Sequence, residues 1–117
     1  MPIDNVLASL AVKDVTAASA WYGELFGRAP STPMAEVAEW MFPRGGCLQV
    51  YQLPERAGRG SCTLAVDDLD EQERKLSAMG VDTSQRTSNA RVKTIMVTDP
   101  DGNHLAFAQA MDAALAR

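Results

Sequence analysis

The chain carries one pattern twice. Ser9-Leu10-Ala11-Val12-Lys13-Asp14-Val15 returns as Thr63-Leu64-Ala65-Val66-Asp67-Asp68-Leu69, 54 residues on, with Leu, Ala, Val and an Asp in register. Pro43 to Gln52 returns as Pro100 to Gln109, 57 residues on, sharing Pro, Gly, Leu and Gln. Two blocks in the same order at nearly the same offset mark a tandem repeat, which constrains the architecture before any motif is read. Each copy, at about 55 residues, is too short to bury an apolar face alone. The 117 residues are therefore expected to form one domain made of two half-domains.

Each copy reads as βαβββ. Val6, Ala8, Leu10 and Val12 alternate with Leu7, Ser9, Ala11 and Lys13, the period of a strand with one face on a core. Asp14 then offers a helix cap, and Ala18, Trp21, Tyr22, Leu25 and Phe26 recur at helical spacing as far as Gly27. Strands are expected at Met34 to Val37, at Glu39 to Phe42 and, after the Pro43–Gly46 turn, at Cys47 to Leu53. The second copy predicts a strand over Cys62 to Val66, a cap at Asp68 or Asp70, and a helix bearing Leu69, Leu76 and Met79 that stops at Gly80. A weak strand at Val81 to Ser84, a strong one at Arg91 to Thr98 and a last one at His104 to Gln109 follow. This places a first module at about residues 3–53, a linker at 54–60, a second module at about 61–110 and an Ala-rich tail at 111–117.

With 46% hydrophobic and 22% charged residues the chain has the composition of an ordinary globular protein. Its net charge of −4 gives no basic face for a phosphate backbone or an anionic membrane, so neither nucleic acid nor a membrane is an expected partner. No stretch is apolar enough to span a bilayer, and the first residues lack the basic and apolar regions of a secretory signal, which predicts a cytoplasmic protein. Cys47 and Cys62 are not spaced as a metal site or a disulfide framework and are expected as small core or semi-buried residues.

A doubled βαβββ module with a strand-Asp-helix opening, the helix end Trp21-Tyr22-Gly23-Glu24-Leu25-Phe26-Gly27 and an Asp99-Pro100-Asp101-Gly102-Asn103 turn resembles the vicinal oxygen chelate superfamily. Its members include glyoxalase I, extradiol dioxygenases, and fosfomycin and bleomycin resistance proteins. The resemblance covers nearly the whole chain and implies an α+β fold in which mixed sheets curl into a cup with the helices outside. Strand parity then turns Leu48, Val50, Cys62, Leu64, Val66, Leu105 and Phe107 toward the helices, a uniformly apolar set. Leu7, Ser9, Ala11, Gln49, Tyr51, Ser61, Thr63, Ala65, His104, Ala106 and Ala108 fall on the inner wall, a mixed and partly polar set of the kind that lines a ligand site.

Metal-dependent members of that superfamily hold a divalent cation on four side chains, one each from the first and last strand of each module. The resemblance carries those positions onto Leu7, Gln49, Ser61 and Ala106, of which only Gln49 is a plausible donor. His104 is the one histidine and falls two residues from the expected position. No metal and no other cofactor is expected. The implied function is that of the bleomycin resistance proteins, which act as homodimers: metal-independent binding of an antibiotic or other small organic ligand. Ser9, Trp40, Phe42, Gln49, Tyr51, Ser61, Thr63 and His104 are the candidate ligand-binding residues, with the aromatic rings closing over a flat molecule. The alternative is a lyase, isomerase or dioxygenase of the same fold that uses Gln49, His104 and Tyr51 or Glu39 with a weakly held metal. A tautomerase using Pro2 as an N-terminal base is disfavoured, because such modules are βαβ.

Overall fold

The alternating and helical stretches of each copy fold as two units of one plan in a computed structural model that describes residues 2–111. The first unit runs through Gly60 and includes Pro100–Asn103; the second comprises Ser61–Asp99 and the described residues from His104. In the first, β1 (Ala8–Val12) is followed by α1 (Val15–Phe26), β2 (Ser31–Met34), β3 (Val37–Met41) and β4 (Cys47–Gln52). The second repeats this with β5 (Ser61–Ala65), α2 (Leu69–Ala78), β6 (Gln85–Ser88), β7 (Val92–Thr98) and β8 (His104–Ala110). The sheet orders are β1-β4-β3-β2 and β5-β8-β7-β6. In each the first and last strands pair in parallel and the other pairs are antiparallel, giving an α+β fold of mixed sheets.

Both helices start at the Asp the repeat marks. Asp14 accepts hydrogen bonds from the Thr16 and Ala17 amides at 2.9 and 3.4 Å, and Asp68 accepts one from Glu71 at 3.1 Å. An Asp cap leaves the first helical N–H unsatisfied. The repeated Gln supplies the missing acceptor. Gln52 Oε1 takes the Val15 amide at 3.0 Å, and Gln109 Oε1 takes the Leu69 amide at 2.8 Å. The Gln common to both copies thus ties the last strand of each module to the start of its helix. At the other end of α1, Gly27 closes the helix at φ 70°, where a side chain would be strained.

Alternation along the strands sorts the faces. In the first unit Leu10, Val12, Ala38, Trp40, Leu48 and Val50 are buried with Tyr22 and Leu25 of α1. In the second Ile95, Val97, Leu105 and Phe107 are buried with Leu69 and Leu76 of α2. Two expected strands are displaced. The stretch from Met34 to Val37 spans the β2–β3 turn, and the weak strand lies at Gln85–Ser88 because Asp82 accepts the Ser84 amide and turns the chain just before it. The expected tail lies, from residue 112, outside the described residues.

The Asp99–Asn103 turn does more than reverse the chain. Asn103 is fully buried in the first unit: its Nδ2 donates to the Ala11 carbonyl and its Oδ1 accepts from the Gly60 amide, both at 2.9 Å. Asp101 Oδ2 accepts the Lys13 amide at 3.1 Å. Gly58, at φ 84°, lies against this turn so closely that a Cβ there would sit 2.0 Å from the Asp101 carbonyl oxygen. Asn103→Ala would leave a buried carbonyl and a part-buried amide unpaired, at about 1–3 kcal/mol each, so urea denaturation should show a loss of about 2–6 kcal/mol. Gln109→Ala removes one helix-start acceptor, and the same measurement should give about 1 kcal/mol.

Candidate functional site

The face of the first sheet turned away from α1 is built in rows across the strands. One row is Ser9, Gln49 and Glu39; the next is Ala11, Tyr51 and Val37. Ser9 Oγ donates to Gln49 Oε1 at 3.0 Å, and Gln49 Nε2 donates to the Glu39 carboxylate. The Gln49 amide is therefore held at both ends by its neighbours. Beside these rows the chain leaves β4 at Gln52 and enters a single 3-10 turn, Pro54–Arg56, before running to Gly60. A cleft of about 480 Å³ opens there. Ser9, Ala11 and Tyr51 line it from the sheet, and Glu55, Arg56, Arg59 and Gly60 from the connecting segment. Its size is that of a pocket for a small organic molecule, which typically runs about 300–1,000 Å³.

The geometry of this wall depends on Asn103. The two backbone groups it joins belong to Ala11 and Gly60, both of which line the cleft. A Cβ at Gly60 would lie 2.9 Å from Leu10 Cδ2 and 3.3 Å from Asn103 Oδ1, so a side chain there would have to displace the buried Leu10 methyl and crowd the Asn103 amide. The segment read from sequence as a plain linker is thus one side of the cleft. The clue to this was its charge, Glu55, Arg56 and Arg59 within five residues, next to an inward-facing Tyr51.

Of the candidate ligand-binding residues, the structure brings Ser9, Gln49 and Tyr51 together. Trp40 and Phe42 are corrections. Trp40 pairs with Leu48 on the helix face, is fully buried, and donates its indole N–H to the Arg28 carbonyl at 3.1 Å. Its ring lies 5.9 and 5.5 Å from those of Tyr22 and Phe26. Phe42 meets the Phe26 ring edge-on at 5.2 Å, with the Arg28 guanidinium 5.5 Å over its face. The alternation of β3 sends Trp40 to the α1 side, where it fills the core, and Phe42, just past the strand and half-buried, packs on Phe26 of α1. Ser61, Thr63 and His104 lie in the second unit on the parallel β5–β8 pair, all exposed, with Ser61 opposite His104 and Thr63 opposite Ala106.

The residues at the metal positions implied by the resemblance do not fit a divalent cation. Leu7 and Ala106 carry no lone pair, Ser61 is a neutral hydroxyl, and the oxygen of Gln49 already accepts from Ser9. Among the described residues no three His, Cys, Asp or Glu side chains are grouped to hold an ion.

A glyoxalase-like domain model matches residues 7–108, almost the whole chain. The chain belongs to the glyoxalase-like family. A glyoxalase/bleomycin resistance protein from Catenulispora acidiphila is 36% identical, with a TM-score of 0.80 over 91% of this chain and 97% of that one. An antibiotic-binding protein from Streptomyces sp. CB03234 is 25% identical, with a TM-score of 0.78 over 94% and 98%. A lactoylglutathione lyase from Agrobacterium tumefaciens shares the fold at a TM-score of 0.79 and 17% identity, over 97% of this chain and 98% of that one. No curated protein matches significantly. This places the glyoxalase-like chain in the glyoxalase/bleomycin resistance superfamily, as the doubled module implied. No described helix is long and apolar enough to cross a membrane.

Neither cysteine of this glyoxalase-like domain is set up as a nucleophile. Burial, with the nearby Asp99 carboxylate, pushes the Cys62 thiol up to about 11, and burial with Glu39 raises Cys47. At pH 8 about one Cys62 in a thousand would be thiolate, so iodoacetamide should label the folded protein far more slowly than the urea-unfolded chain. Trp40→Phe should lower stability by about 1–3 kcal/mol in urea denaturation, yet leave the affinity of any molecule bound in the cleft within about twofold.

Proposed function

We propose that this protein binds a small organic molecule in the cleft between Tyr51 and the Arg56–Arg59 segment, and does so without a metal. The observation that carries this reading is the cleft itself, of ligand size, beside a Gln49 whose amide is already satisfied by Ser9 and Glu39. A side chain held in this way is suited to shaping a wall. Its oxygen keeps a second lone pair, but one neutral amide donor is too few to hold a divalent cation. The substituted donor positions support the same conclusion, and the similarity to a protein described as antibiotic-binding supports a ligand of that broad kind. Binding and sequestration require only a shaped surface; electrophilic catalysis on vicinal oxygens requires several converging donors, which these positions lack.

The cleft supplies an aromatic ring at Tyr51, small apolar surface at Ala11, and polar groups at its margin. That combination holds a body with one flat or apolar part and one polar part. A ligand that finds it at about 100 times its dissociation constant should add roughly 2.7 kcal/mol of stability, which a thermal-shift screen of organic molecules would detect.

Elemental analysis and calorimetry test the metal-independence directly. The purified protein should contain well under one equivalent of any divalent metal, and titration with Mg, Mn, Ni or Zn should give no tight stoichiometric binding; a tightly held ion at one per chain would overturn the proposal. His104→Ala should leave ligand affinity unchanged, since His104 is not among the residues lining the cleft.

A further inference from the structure

The chain as a whole is acidic, with a net charge of −4, but the margin of the cleft is not. Two arginines, Arg56 and Arg59, line it, against one acidic residue, Glu55. Among the described residues neither arginine forms an ion pair or a side-chain hydrogen bond. Donors outnumber acceptors in the same way. Both guanidiniums are free to donate and the Tyr51 hydroxyl adds another donor, whereas Ser9 has committed its proton to Gln49.

We propose that the molecule bound in this cleft is an organic acid, a largely apolar body bearing one anionic group that Arg56 and Arg59 hold. This rests on the reading of the cleft as the ligand site and adds the ligand's charge. The guanidinium is the side chain best shaped to receive a carboxylate, sulfonate or phosphate, because its planar fork meets two acceptor oxygens at once. Two of them beside an apolar floor give the cleft a polarity: the acid at the connecting segment, the apolar body on Ala11 and Tyr51. The favourable charge is local, so the acidic surface elsewhere opposes it only weakly across a Debye length of about 8–10 Å.

The test uses a matched pair of fluorescent probes that differ in one acid group, 8-anilinonaphthalene-1-sulfonate and neutral N-phenyl-1-naphthylamine. Both are titrated into the whole protein, into Tyr51→Ala and into the Arg56→Gln/Arg59→Gln double variant, with circular dichroism confirming the fold. At one exposed ion pair's worth per arginine, the sulfonate should bind about fivefold or more tightly than the neutral probe at low salt. That preference should disappear in the arginine variant, and Tyr51→Ala should weaken both probes. Equal affinity for the two probes, or a sulfonate preference that survives removal of both arginines, overturns the anionic ligand while leaving the cleft reading intact, provided Tyr51→Ala weakens binding. Probe affinities untouched by Tyr51→Ala overturn both.

Discussion

The side chain of Asn103 is the contact on which the first unit's cleft depends. It is fully buried, and its amide spends a donor on Ala11 and an acceptor on Gly60, two backbone groups 49 residues apart in sequence. Those groups belong to opposite sides of the cleft, the strand β1 and the segment that follows the 3-10 turn. An apolar residue of the same size would leave both backbone groups unpaired in the interior, and an Asp could not donate to the carbonyl. Gly58 and Gly60 make the approach possible by leaving no Cβ in the way. The turn that looks like a simple reversal between β7 and β8 therefore helps to build the cleft of the first unit, to which Pro100–Asn103 belong.

The repeat explains both what the units share and where they differ. Asp14 with Gln52, and Asp68 with Gln109, start the two helices by the same division of labour between a cap and a neighbouring strand. Those positions can change little without exposing a helix-start amide. Away from them the copies have diverged. Tyr51 of the cleft corresponds to Ala108, Gln49 to Ala106, and Asn103 to Gly46, which has no side chain to offer. The scaffold is duplicated, and the cleft features at Tyr51 and Asn103 have no counterpart in the other copy.

The sequence disclosed the architecture because the repeat acts at the level of strand and helix periods. The shared face of Ser9, Gln49 and Tyr51 was legible because alternation along β1 and β4 sets it, and those strands pair with Ser9 opposite Gln49 and Ala11 opposite Tyr51. The sequence misplaced Trp40 and Phe42 because their face depends on how β3 registers against β4, and nothing local in Glu39 to Phe42 states that register. The place of Arg56, Arg59 and Gly60 beside Tyr51 showed in the sequence only as a charged stretch, for a different reason. Gly60 is held by Asn103, a contact spanning more than forty residues that leaves no periodic trace. Prediction from pattern ends where a single buried side chain decides where a loop lies.

We propose that this cleft takes its ligand without a cation. The most direct test is a crystal structure of chelator-treated protein grown with 8-anilinonaphthalene-1-sulfonate. Ring density against Ala11 and Tyr51, with the sulfonate at Arg56 and Arg59 and no ion at Gln49, is the predicted result. A cleft filled only by water while the probe lies elsewhere, or a metal ion bound at Gln49, would contradict it.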